Sequence, residues 1–428
     1  MRLLFVLMVL FAALLPQAAG AGDAALFHGF RTLRPFLHEL WFDDYDPDVS
    51  GKALSANRIG FACSAVRSGD FHGRNFDFLY TDTPEFIVHV AADPKKGRLA
   101  SVGVAMHFGL HEGGVTNGQY AASASGIAAY NLLPTAMADG INECGVVISV
   151  NSVLAGEAED GIPGTKDGLK DPVHIACVQR LVLDRATNAQ HAVRIIAGLG
   201  GRLYGTTCET SVLHYLVSDP RETLAVEIVK GRVVARHIGL MTNFNLNWNP
   251  ATREPIDDSC GGWSAQDYWL PPQNRALTAD ERRRLARTYA PHAEGIERFA
   301  VLRDGCVAAG ASVQAMADLL RSVRYTRLYD EKAVPQRITD LVSEETTVFD
   351  LYPTSAAKLA KNREYFRSEI LPELDSIRDG VRDPALDIWI TVHSAVYDIP
   401  NRTLRIVAQE DFDHPFDMRL PTRKSPGI

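Results

Sequence analysis

Long apolar runs, paired cysteines and basic tracts are scarce in this chain of 428 residues. Its N-terminal apolar run, residues 3–15, is thirteen residues long. That is well short of the roughly 20 an α-helix needs to cross a bilayer, so no stable membrane span is expected once the run is removed. Cysteines number six, and none stands in a CxxC pair or at zinc spacing from a histidine. His107 and His111 are four apart, but Gly109, Gly113 and Gly114 argue against the helix that would place both on one face, so no metal site is expected. Lysine and arginine total 44 against 52 aspartates and glutamates, a formal net charge of −8, which speaks against nucleic acid as a partner. The single basic run, Arg282-Arg283-Arg284 with Arg287, follows Asp280-Glu281 and reads as a solvated helix face. Gly198, Gly200 and Gly201 follow a helical pattern, not a strand, and so mark a helix end instead of a phosphate cradle. No internal repeat or low-complexity tract is present.

Apolar residues make up 46% of the sequence, enough for a substantial core in one large domain or two ordinary ones. Met1-Arg2, the apolar run, Pro16 and the small residues Ala19-Gly20-Ala21 have the three parts of a secretory signal peptide over residues 1–21. A periplasmic or secreted protein is therefore expected, a lipid-facing anchor being the alternative. Residues 22–62 are rich in aromatics (Phe27, Phe30, Phe36, Trp41, Phe42, Tyr45) and include the acidic stretch 43–48. They read as a pro-segment that packs over an apolar cleft and is removed on maturation, or else as a helix that stays part of the domain. The first 62 residues hold five basic and six acidic side chains, so their loss leaves the chain acidic.

Directly after that segment, Cys63-Ser64-Ala65-Val66 leads through the turn Ser68-Gly69-Asp70 to Gly73-Arg74-Asn75-Phe76-Asp77, a pattern of two short strands joined as a hairpin. Such a hairpin brings a thiol, a guanidinium and a carboxylate together. A thiol with a pKa of about 8.5 is little ionised at neutral pH, and a cation such as Arg74 beside it raises the thiolate fraction. An α-amino group, with a pKa of roughly 7.7–8.0, is a usable base near neutrality. If the chain were cut before Cys63, its own amine would serve as that base, with Asp77 holding it in place. On these residues alone the alternative is a buried structural cysteine beside an ordinary ion pair.

A Cys followed within about twenty residues by Gly-Arg-Asn-aromatic-Asp resembles the cysteine branch of the N-terminal nucleophile hydrolases. Within that branch it is most similar to the choloylglycine hydrolase and penicillin V acylase family. The resemblance implies scission between Ala62 and Cys63, the freed amine then acting on its own thiol. Three later features are similar to the family. Asn142-Glu143-Cys144-Gly145 feeds an apolar strand ending in Asn151, where the family's Asn helps bind the oxyanion; taken alone, Asn151 would be a strand-ending turn residue. Thr242-Asn243 supplies a second orienting group, although Asn243 by itself reads as a loop residue. Arg298-Phe299 matches an arginine whose guanidinium reaches the family's catalytic cluster, with Ile296-Glu297 standing where the family has small hydroxyl residues. The implied catalytic set is Cys63, Arg74, Asp77, Asn151, Asn243 and Arg298, with no metal or organic cofactor. The implied fold is α+β, a four-layer αββα sandwich of the N-terminal nucleophile hydrolase type, over residues 63–428.

Periodicity adds strands at 86–90, 99–106 and 121–130, a hairpin of 213–219 with 223–228, a strand at 233–238, and a last hairpin of 387–396 with 403–407. Helices are expected from Asp171-Pro172, at 188–197, from residue 294, and at 312–323 with Val313, Met316, Leu320 and Val323 on the core side. The charged helical stretch 355–383 reads as an insertion that serves assembly into a homo-oligomer or covers the site. The aromatic, Pro-rich stretch 261–274 lines an apolar acyl pocket or packs as a surface loop. With Cys63 reduced, the other five cysteines allow at most two disulfides, and Cys144 and Cys177 read as buried thiols.

The expected function is an exported, self-processing cysteine amidase acting on a linear amide of a small-molecule N-acyl substrate. Conjugated bile acids, phenoxyacetyl β-lactams such as penicillin V, acyl homoserine lactones and fatty acyl amides are the substrate classes. The alternatives are an acyltransferase of the isopenicillin N acyltransferase type and a non-enzymatic exported binding protein that retains its pro-segment.

Overall fold

The computed structural model describes residues 25–45, 62–79, 83–107, 110, 115–116, 119–120, 124–154, 161–205, 211–243, 246, 248–249, 254–255, 293–324, 327–328 and 388–420. The signal-peptide pattern, residues 46–61 of the pro-segment pattern, the loop 261–274, the arginine run, the insertion 355–383, His111, Cys208 and Cys260 lie outside the described residues.

The described chain opens with a hairpin of β1 (Phe27–Arg34) and β2 (Leu37–Phe42), both inside the stretch expected to be a pro-segment. Next, β3 (Ala62–Ser68) and β4 (Phe71–Leu79) form the hairpin expected at the cysteine. Gly69, at φ +51°, takes its left-handed turn position at no steric cost. β5 (Glu85–Val90) and β6 (Ser101–Met106) follow, then two-residue strands β7 (Val115–Thr116) and β8 (Gln119–Tyr120), helix α1 (Ala124–Asn131), β9 (Met137–Asn142) and β10 (Val147–Leu154). The middle of the chain holds β11 (Val173–His174), α2 (Val178–Arg185), α3 (Ala189–Gly198) and β12 (Leu203–Tyr204). A meander of β13 (Ser211–Ser218), β14 (Thr223–Val229) and β15 (Arg232–Arg236) leads to β16 (Leu240–Met241) and the short pair β17 (Trp248–Asn249) and β18 (Glu254–Pro255). After these come α4 (Ala293–Ala309), α5 (Val313–Ser322), β19 (Arg327–Leu328), β20 (Ile388–Asp398), β21 (Thr403–Ala408) and β22 (Phe416–Arg419).

Two large sheets organise these elements. One has nine strands in the order β1-β2-β5-β6-β9-β10-β13-β14-β15, antiparallel except where β2 runs parallel to β5. The other has seven, in the order β16-β3-β4-β20-β21-β22 with β19 beside β20. Three apolar clusters fix the layering. The first joins the outer face of the nine-stranded sheet (Phe86, Ile148, Val150, Tyr215, Val217) to α1, α2 and α3. The second joins the seven-stranded sheet (Ala65, Val66, Val396) to α4 and α5 through Phe299, Leu302, Met316 and Leu320. The third lies between the sheets, with Ile87, Val102, Val104 and Ile141 facing Ala395, Tyr397, Leu404 and Ile406. The fold is therefore α+β in four layers, helices outside and two sheets stacked within.

Two expected elements differ. Residues 124–131 form a helix where a strand is expected, because Ala124-Ser125-Gly126-Ile127-Ala128-Ala129 is small and Ala-rich, and Ala129 and Tyr130 bury against the nine-stranded sheet. The helix expected from Asp171 starts at Val178, since Val173 and His174 pair with Leu203 and Tyr204 and the Nδ1 of His174 caps a short 3-10 turn by accepting from the N–H of Ala176 at 3.3 Å. By contrast α3 begins as expected, the Oδ1 of Asn188 accepting from the N–H of His191 at 2.8 Å.

Gly140 on β9 lies opposite Gly103 of β6. A Cβ there would come 2.8 Å from both the carbonyl oxygen of Val102 and the Cδ1 of Leu183 on α2. Glycine is what lets helix and strand close on each other. Gly140→Ala is expected to lower stability by about 1–3 kcal/mol in urea unfolding; an unchanged midpoint would mean that the backbone yields freely here.

Candidate active site

Alternation along β4 sends its side chains to two different layers. His72 and Arg74 face the nine-stranded sheet: His72 lies 2.9 Å from the Oγ of Ser149 and 2.7 Å from the Oγ of Ser218, and Arg74 Nη2 donates to the Val150 carbonyl at 2.5 Å. Asn75 and Asp77 face the helices, Asn75 donating to the Leu320 carbonyl at 2.8 Å and Asp77 pairing with Arg298 of α4. Cys63 stands opposite Phe76 on the neighbouring strand, so its sulfur comes within 3.3 Å of Arg74 Nη2.

The remaining expected residues converge on this point. The backbone N–H of Cys63 donates to Asn243 Oδ1 at 2.8 Å, and Asn243 Nδ2 donates to the Ser152 carbonyl at 2.7 Å. Arg298 bridges the cluster, Nη2 donating to the same Asn243 oxygen and Nη1 to Asp77 Oδ2. The other oxygen of Asp77 accepts from the Thr391 hydroxyl at 2.6 Å. Cys63, Arg74, Asp77, Asn243 and Arg298 thus form one continuous set of contacts. Asn151 joins it through the adjacent peptide, its Nδ2 lying 3.4 Å from the Thr242 carbonyl, while its Oδ1 accepts no hydrogen bond among the described residues. All six residues are buried.

Burial also sets the charge states. It pushes the Cys63 thiol up to about 12, further than the neighbouring Arg74 can bring it down. Arg74 sits where expected and favours the thiolate as expected, but in the uncut chain desolvation of the sulfur outweighs it. Burial likewise raises the Asp77 carboxyl to about 6 against the opposing pull of Arg298, Thr391 and Arg74. A thiol that is protonated at neutral pH needs a base before it can act as a nucleophile.

Behind Arg74 lies a second set of buried charges that sequence reasoning missed. Arg74 Nε is 3.1 Å from Asp139 Oδ2, and the same oxygen is 2.7 Å from His393 Nε2. His393 Nδ1 is 3.3 Å from Glu85 Oε2, and Tyr397 donates to the other oxygen of Asp139. None of these side chains is exposed to water. Burial alone would lower His393, but Glu85 and Asp139 more than offset it and raise it to about 9. Burial alone would raise Asp139, yet His393, Arg74 and Tyr397 together hold it below the usual carboxylate range. The two cations and two anions balance. Nothing local in Ala138-Asp139-Gly140 or Thr391-Val392-His393-Ser394 marks these positions, because β5, β9, β4 and β20 meet only when the two sheets stack. Among the described residues no group of His, Cys, Asp and Glu is arranged to hold a metal ion.

A histidine raised in the fold from its unfolded value of about 6.5 contributes stability that is full below that value and is lost as pH rises through the folded one. The groups facing His393 are Glu85 on β5, Asp139 on β9 with Arg74 and Tyr397 beyond it, and the ring of Phe76 on β4, whose centroid is 5.4 Å away. Replacing the pair together, His393→Gln with Glu85→Gln, keeps the buried charge balanced. Chemical denaturation across pH is expected to show wild type losing stability between pH 6.5 and about 9 relative to that double variant. Parallel profiles would show that His393 is neutral in the fold.

No protein-family profile matches this chain, and no curated protein matches it. Among solved structures it is similar to penicillin V acylase from Agrobacterium tumefaciens, at 15% identity over 83% of this chain and 86% of that one, with a TM-score of 0.36. It is also similar to two variants of conjugated bile acid hydrolase from Clostridium perfringens, each at 11% identity and a TM-score of 0.37, covering 84% and 83% of this chain and 92% of theirs. At these values the likeness lends no weight to the role of any residue.

Proposed function

We propose that the chain is an exported, self-processing cysteine amidase in which Cys63 becomes both the first residue and the nucleophile. The observation that carries this is the Cys63 nitrogen, held 2.8 Å from Asn243 Oδ1 beside a sulfur that Arg74 touches at 3.3 Å. In processing, Sγ adds to the Ala62 carbonyl, the C–N bond breaks as the proton given up by the thiol passes to the departing nitrogen, and water hydrolyses the resulting thioester. The products are an Ala62 carboxylate and a free Cys63 amine.

That amine occupies the place of the former amide, with Asn243 still accepting from it. It removes the thiol proton that burial otherwise holds fast, and Arg74 stabilises the thiolate as it forms. The sulfur attacks the carbonyl of a linear amide, and the oxyanion accepts from Asn151 Nδ2 and a backbone N–H. Asn151 is suited to this, because its one internal bond, at 3.4 Å, is long and readily given up. The amine product leaves with the proton, and water, deprotonated by the same α-amine, releases the acid. Asp77 and Arg298 orient Asn243 throughout. The substrates are small-molecule N-acyl amides of the bile acid, phenoxyacetyl, homoserine lactone or fatty acyl classes.

Cys63→Ala is expected to remain a single uncut chain without activity against a panel of those four amides. Asn151→Ala is expected to be cut but to lose about a hundred- to a thousandfold in kcat. Turnover by Cys63→Ala would overturn the proposal, and an unchanged kcat in Asn151→Ala would remove Asn151 from the oxyanion site.

A further inference from the structure

We infer that scission before Cys63 leaves the upstream segment in place as a second, non-covalently held chain that supplies β1 and β2 of the nine-stranded sheet. This rests on the processing proposed above, and it departs from the expectation that residues 22–62 are lost on maturation.

The segment is built into the domain. β2 pairs with β5 in parallel register from Leu37↔Glu85 to Phe42↔Val90, and the pairing is extended by Glu85 N–H to the Phe36 carbonyl and Ala91 N–H to the Phe42 carbonyl, each at 2.9 Å. Leu37 points between the two sheets and joins the cluster of Ile87, Leu404 and Leu420, while Leu40 and Phe42 lie on the other face with Phe86 and Val88. All three are at most 1% exposed. Polar contacts pin both ends. The Leu26 N–H donates to Asn131 Oδ1 at 2.9 Å, Tyr45 bonds Asp184, Arg98 reaches Asp44 at 2.9 Å, and the carboxylate of Glu39 lies 2.7 Å from His89. Loss of the segment would bare β5 along its whole edge, an aggregation-prone surface, and would uncover its apolar side chains. It would also expose the strand that carries Glu85, the carboxylate facing His393 behind Arg74. The strand that backs the mature site is therefore covered along its edge only with the upstream chain bound.

Two preparations test this. For wild type, a denaturing gel is expected to show two chains, and native mass spectrometry a single species containing both; a native species that begins at Cys63 and lacks the upstream chain would overturn the inference. In the second, Cys63→Ala carries a site-specific protease sequence within residues 46–61 and is cut by added protease. The fragments are expected to co-elute in size exclusion, and their separation without denaturant would overturn the inference even if wild type proves not to cut itself. An uncut wild type would instead contradict the processing.

Discussion

A guanidinium with no access to water has to be matched, and in this protein that requirement falls on Arg74. It lies between the sheets, touching the Cys63 sulfur on one side and Asp139 on the other. Asp139 in turn leans on His393, and His393 on Glu85. Stripping any one partner would strand a buried charge, so the four strands that bear them are tied in position relative to one another. The thiol inherits that rigidity. Its place beside the cation follows from the stacking of two sheets and not from the hairpin alone.

The second constraint is the nitrogen of Cys63. As an amide N–H it is a structural donor to Asn243, and Arg298 and Asp77 keep that acceptor fixed. Under the proposed scission the same contacts would position the free amine. Under the proposed processing, one arrangement serves both a precursor, whose thiol acts only on the peptide bond before it, and a cut form, whose thiol has a base attached to its own backbone. Because β1 and β2 belong to the sheet, the proposed scission would change the chemistry of one residue without dismantling the layer that supports it.

The hairpin at Cys63 was legible because its turn, Ser68-Gly69-Asp70, and its alternating strands are local signals, and strict alternation along β4 then dictates that Arg74 and Asp77 part to opposite layers. Asn151, Asn243 and Arg298 were legible only as motif order along the chain, and the structure brings them together across 180 residues in the case of Cys63 and Asn243. The buried charges of Glu85, Asp139 and His393 were not legible. Each sits in a strand that is mostly apolar, and no spacing in the sequence states which strand from the facing sheet will meet it. The helix at 124–131 was misread because Ala and Ser runs carry no period of their own, and its form is decided by the sheet it packs against. In the stretch read as a pro-segment, Phe27, Phe30, Trp41 and Phe42 lie in strands β1 and β2, a form that its aromatic composition does not state.

The most direct test of the central claim is to quench a working reaction with a chromogenic N-acyl amide in acid, digest with trypsin and weigh the peptide that ends at Arg67. The expected result is a peptide beginning at Cys63 and carrying the acyl mass, which passes from the sulfur to the free α-amine at the pH of the digest. Turnover accompanied by a peptide that still begins at Ile59, or by no acyl adduct, would contradict it.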